Sequence, residues 1–75
     1  MDYVDKLTAY RLDHDLTQTD IARLLYRSQK TISCYERRRL SYRVEDIIAL
    51  CRFYHISADD LFGLRERTPD SPKKR

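Results

Sequence analysis

Apolar residues recur at helical spacing in five stretches of the chain. Val4, Leu7 and Tyr10 share a face with Arg11 by steps of three and four, which predicts a helix over residues 3 to about 14. Asp2 and Asp5 in its first turn suit the positive end of the helix dipole. Thr17 and Asp20 have the spacing of a capping box, in which each residue satisfies the other's amide, and Ile21, Ala22 and Leu25 then fall on one face. The pattern breaks at Tyr26-Arg27. Ser28 offers a second cap, and Ile32 and Tyr35 mark the inner face of a third helix. Val44, Ile47, Leu50 or Cys51, and Tyr54 line one side of a fourth, with Glu45 and Asp46 in its first turn and Ile48 beside the stripe. Ser57 with Asp60 opens a short helix from Ala58 to Phe62, in which Leu61 and Phe62 are expected to close the core before Gly63 ends it.

The outer face of the third helix is the unusual one. It carries Gln29, Lys30, Ser33, Cys34 and Arg37, side chains that hydrogen-bond outward and that core closure does not require. Ala22 is small where the second and third helices would cross, so their backbones can approach closely. Helix, tight turn, then a helix with a polar outer face is the layout that puts one helix into a DNA major groove.

Composition narrows the classes. Seventy-five residues make one small domain, and one Gly, two Pro and few β-branched runs argue against a sheet. The net charge of +3 decides less than its distribution. Residues 17–43 carry seven Lys or Arg against Asp20 and Glu36, a net +5, between segments of net −2 (1–16) and net −3 (44–62). That is the footprint of a polyanion binder. No apolar run is long enough to span a membrane, and the start, MDYVDKLTAY, is acidic where a secretory signal is basic and then apolar. Cys34 and Cys51 lie on separate predicted helices without metal-ligand spacing, which fits a reduced cytoplasm. Asp13, His14 and Asp15 read as a solvated loop, since no second ligand cluster is placed to join them in a metal site. No metal and no cofactor is implied. No paired acid, nucleophile with base, or Gly-rich phosphate loop marks an enzyme.

The stretch TQTDIARLLYRSQKTISCYER resembles the helix-turn-helix of the Cro and phage-repressor type, the XRE-like family. The resemblance rests on Leu16-Thr17-Gln18, Ile21-Ala22, Leu25, Ser28-Gln29, Thr31-Ile32-Ser33, Tyr35 and Glu36. Ile47, Leu50, Tyr54, Ile56-Ser57, Asp59 and Leu61 extend it to about residues 3–64. It implies an all-α, compact five-helix bundle of the phage-repressor DNA-binding domain type. The domain would cover residues 1–64, with the helix-turn-helix at 17–36. Residues 65–75, RERTPDSPKKR, read as a disordered basic tail. The resemblance also implies that Arg11 pairs with Glu36, and it places His55 at a helix end where the family often has Gly or Asn. Three departures stand out. The family usually has Gly where Tyr26 and Arg38 stand, and Pro at about Tyr42-Arg43. Non-Gly residues there must bear a positive φ, or the turn must differ.

The expected function is sequence-specific, double-stranded DNA binding by a bacterial or phage transcriptional repressor. Gln29 and Lys30 would meet base edges, Gln suiting adenine and Lys guanine, with Ser33 and Cys34 one turn further along. Gln18 and Ser28, at helix N-termini, would hold phosphates, as would Arg37, Arg38, Arg39 and Arg43 in and after the third helix. Tyr42 is either core packing or a phosphate hydrogen-bond donor. Two copies would suit a near-palindromic operator with half-sites about one DNA turn apart. The alternative is an antitoxin or protein-interaction module on the same fold, with Leu24, Ile48 and Phe53 as its surface if they are exposed.

Overall fold

Five helices are present in the computed structural model, which describes residues 2–63. They are α1 (Tyr3–Asp13), α2 (Gln18–Leu25), α3 (Gln29–Glu36), α4 (Val44–Tyr54) and α5 (Ala58–Phe62), and no strand occurs among the described residues. The architecture is the all-α five-helix bundle expected. The tail assigned to residues 65–75 lies outside the described residues.

Side-chain caps set four of the five helix starts. Asp2, Thr17, Ser28 and Ser57 each accept a hydrogen bond from the amide three residues on. Each cap satisfies one of the amides that a helix start leaves without an internal partner. Thr17 and Asp20 complete the reciprocal box, because the Thr17 amide donates to the Asp20 carboxylate at 2.9 Å. Helix ends are set by left-handed residues. Tyr26 follows α2, His55 follows α4 and Gly63 follows α5, at φ of 57°, 58° and 72°.

The core forms where the apolar faces meet. Val4 and Leu7 of α1, Ile21, Ala22 and Leu25 of α2, Ile32 and Tyr35 of α3, and Leu50, Cys51 and Tyr54 of α4 are buried together with Tyr42 and Leu61. Ile32 and Leu61 are fully enclosed, and burial of such a side chain contributes about 1.5–3 kcal/mol. α2 packs against α3, and α1 touches both α3 and α5. Tyr42 is resolved as core packing: it is buried, with its ring stacked on Tyr35 at 4.2 Å between centroids.

Two expectations are corrected. Val44, assigned to the buried stripe of α4, is 69% exposed as the first residue of that helix. Phe62 is also exposed, with its ring 5.1 Å from that of Tyr3. Asp46 stands in the first turn of α4 as expected, and it is buried with Leu50 on the inner face.

Candidate nucleic-acid interface

α2 and α3 are joined by Tyr26, Arg27 and Ser28. A tight link must reverse the chain at once, and Tyr26 does so in the left-handed region, φ 57° and ψ 43°. The amides of Tyr26 and Arg27 then close onto the carbonyls of Arg23 and Ala22. Holding a residue with a Cβ there costs about 1–2 kcal/mol relative to ordinary backbone. Arg38 repeats the solution after α3, at φ 62°. The positive-φ alternative is therefore the one adopted at both positions where the resembled family has Gly.

The far end of α3 is tied to α1 and α2. Arg11 donates from Nε to Glu36 Oε2 at 2.8 Å and from Nη2 to Oε1 at 3.0 Å. Its Nη1 reaches the Leu16 carbonyl at 2.9 Å. The bonds to Glu36 hold the Arg11 pKa above its ordinary value, so the guanidinium stays charged despite its partial burial.

Glu36 also accepts from Gln18 Nε2 at 3.0 Å, and Gln18 Oε1 accepts from Gln29 Nε2 at 2.6 Å. This chain has a direction. A carboxylate only accepts, so Gln18 must turn its NH2 to Glu36 and its carbonyl to Gln29. Gln29 spends one N–H inward and keeps its carbonyl and its second N–H for solvent or a ligand. One acceptor and one donor side by side are what the N6 and N7 edge of adenine requires.

A contact that sequence reasoning missed ties the turn before α3, and Tyr35 in the last turn of α3, to α4. Asp46 accepts from Arg27 Nε at 2.9 Å and from the Tyr35 hydroxyl at 2.6 Å. Burial, and then the bond to Asp46, raise the Tyr35 pKa. A signal was available, since Asp46, Leu50 and Tyr54 fall at steps of four on the apolar face of α4.

The remaining site residues divide by what they touch. Gln29 and Lys30 are exposed at the start of α3, with Ser33 and Cys34 half-buried behind them. Ser28 is exposed and caps α3, its Oγ accepting from the Thr31 amide at 3.2 Å. Arg37, Arg39 and Arg43 are exposed, with no side-chain ion pair among the described residues. Arg38 is engaged: its Nη2 lies 2.8 Å from Asp2 Oδ1 and 3.0 Å from Asp5 Oδ1. Gln18, Gln29, Glu36 and Arg11 are thus brought into one chain of contacts, while Arg38 is drawn towards α1.

His14 stands outside this site, its Nδ1 2.9 Å from the Tyr10 carbonyl and its ring against Tyr54. Among the described residues no group of three or more His, Cys, Asp or Glu could hold a metal ion. No helix among them is long and apolar enough to cross a membrane.

Comparison with known protein families matches residues 2–62 to a helix-turn-helix domain. No curated protein and no solved structure matches the chain. With the match spanning nearly all of the described residues, the chain belongs to the helix-turn-helix domain family of the XRE/Cro-like type, a family of DNA-binding regulators.

Proposed function

We propose that this DNA-binding regulator is a repressor that reads a specific duplex sequence with residues 29–37 in the major groove. Residues 1–64 act as the DNA-binding unit, and two copies bind a near-palindromic operator as a homodimer. The observation that carries the reading is the start of α3. Gln29 and Lys30 are exposed there, and Gln29 has its amide polarity fixed from behind by Gln18 and Glu36. A helix serving only the core has no need of an oriented amide on its solvent face.

Gln29 reads adenine, Lys30 reads guanine, and Ser33 and Cys34 border the bases one turn further in. Arg37, Arg39 and Arg43 grip phosphates, helped by Ser28 and by the remaining N–H of Gln18. Arg38 joins them only by leaving Asp2 and Asp5. Each phosphate neutralised adds about 0.9 to the slope of log affinity against log salt. Arg37, Arg39 and Arg43 therefore give a slope of roughly −3 per protomer.

The competing reading, an antitoxin or protein-interaction module, draws on Leu24, Ile48 and Phe53, which are 37%, 47% and 42% exposed. Selection from a random duplex pool separates the two, followed by titration of the selected duplex across a salt series. Enrichment of a site with the steep slope above supports repressor-type reading. A pool without enrichment and a flat salt response would remove it in favour of the interaction module.

A further inference from the structure

α3 is anchored at both ends, and the two anchors differ in kind. At its C-terminal end, Glu36 meets Arg11. Towards its N-terminal end the anchor lies in the turn itself. Arg27, the middle residue of the link, reaches across to Asp46 of α4, and Tyr35 reaches the same carboxylate from the last turn of α3, one residue before Glu36. Asp46 is 3% exposed, so its charge has been taken out of water into the contact between α3 and α4. The Tyr35 ring is fully enclosed and stacked on Tyr42.

Three elements therefore converge on one buried carboxylate. The adjoining turn has no glycine, and its left-handed residue is Tyr26. A turn held in that region persists only where its surroundings fix it. Tyr26 itself supplies nothing, because its side chain is 94% exposed. Arg27, next in the chain, is the residue that fixes the turn to α4.

We propose that Arg27, Asp46 and Tyr35 form a lock that sets the orientation of α3 against α4. Asp46, too deeply buried to touch DNA, is thereby a positioning residue for base reading. The functional part of this proposal rests on the DNA-reading function above. The lock also assigns Arg27 away from the duplex: its guanidinium serves Asp46 and, at 3.4 Å, Glu45, and is not one of the phosphate grips. Side chains that read base edges tolerate about half an ångström of misplacement. A small rotation of α3 therefore costs specificity before it costs general affinity.

The experiment uses the full chain and three variants. Tyr35→Phe deletes one bond of the lock and leaves the ring on Tyr42. Asp46→Asn removes the charge, and Arg27→Met removes its partner. Without DNA, residual dipolar couplings of the backbone amides give the angle between α3 and α4. With DNA, the ratio of selected-site to random-duplex affinity is measured at fixed salt, then across a salt series. The lock predicts a changed α3 angle in Tyr35→Phe and about a tenfold fall in the ratio, the size of losing one base contact. Random-duplex affinity and salt slope should match wild type, including in Arg27→Met.

An unchanged angle or an unchanged ratio in Tyr35→Phe overturns the proposal. So does a slope reduced by about one unit in Arg27→Met, which would make Arg27 a phosphate contact. If Asp46→Asn or Arg27→Met fails to fold, Tyr35→Phe decides. Should wild type prefer no sequence at all, the DNA-reading function fails on its own account, and the angle alone decides whether the lock orients α3.

Discussion

Removing Arg11 should be the most damaging single substitution at the interface, although Arg11 lies behind it. Arg11→Met deletes three hydrogen bonds of 2.8, 3.0 and 2.9 Å. It leaves Glu36 charged, only 10% exposed on its side chain, and held by Gln18 alone. It also leaves the Leu16 carbonyl without its guanidinium. Breaking a buried pair on one side costs about 3–5 kcal/mol, most of it the stranded charge. Arg11 retains 13% of its side-chain exposure and Glu36 is similar, so water relieves part of the penalty and the lower end applies, about 3 kcal/mol. A domain this size has a total stability of roughly 4–11 kcal/mol. The variant should therefore melt about 12–24 °C lower, taking about 4–8 °C per kcal/mol.

Glu36→Gln should cost less. A glutamine carbonyl still accepts from Arg11, and Arg11 keeps Leu16. The assay is urea unfolding of both single variants and the double variant, followed by helical circular dichroism. Direct pairing predicts a coupling of about 1.5 kcal/mol or more, little changed by salt. A coupling of a few tenths of a kcal/mol, the level of exposed pairs, would show the contact to be energetically idle and refute the reasoning.

Tyr26→Gly should stabilise the domain by about 1 kcal/mol, because the left-handed backbone is relieved and a 94% exposed ring is lost; a lower melting temperature would place that ring in a contact. Gln29→Ala or Lys30→Ala should cost about 1–3 kcal/mol on the selected site and relax preference at one or two base positions. Arg37→Ala, Arg39→Ala or Arg43→Ala should weaken all sequences alike and lower the salt slope by about one unit; the reverse pattern would move specificity to the loop. Asp2 is held below its ordinary pKa of 3.8 by the Asp5 amide and then by Arg38, and Asp20 by the Thr17 amide. Their stabilisation is complete above that value and is lost as pH falls through the lowered ones. The gap in melting temperature between wild type and Asp20→Asn should close only in acid below it. Alkylation of Cys34, half-buried on the outer side of α3, should block binding to the selected site by bulk, and unchanged binding would mean that the helix is oriented otherwise.

Local chemistry made most of the fold legible. Thr17, Ser28 and Ser57 cap where a hydroxyl before a periodic apolar run says a helix begins, since the partner amide is only three residues away. Ile32, Tyr35 and Leu50 are buried for the same reason: spacing assigns a face without knowledge of the neighbour. Legibility failed where the partner is distant in sequence. Periodicity counts apolar residues, so a carboxylate on the apolar face of α4 was read as a charge for the dipole. Nothing near Asp46 names Arg27 or Tyr35. The clasp between Arg38 and Asp2, 36 residues apart, left no local trace either. Val44 and Phe62 failed differently. Each lies at a helix terminus, where the periodic face runs past the edge of the core.

The two departures from glycine also explain why the charges around α3 are placed as they are. Left-handed Tyr26 and Arg38 bracket the helix, and each is associated with an ion pair: Arg27 on Asp46 beside the first, Arg38 on Asp2 and Asp5 at the second. The pairs differ in exposure. Asp46 is 5% exposed on its side chain, whereas Arg38 and Asp2 are 49% and 53% exposed. Salt screens the exposed pair and leaves the buried one nearly intact. Rising salt therefore weakens the hold of Asp2 and Asp5 on Arg38 more than that of Asp46 on Arg27. Arg38 is released under the same conditions that weaken phosphate contacts, and a phosphate that takes it must displace two carboxylates. Arg38 should then contribute less to the salt slope than Arg37 or Arg39, although all three stand in one run of arginines.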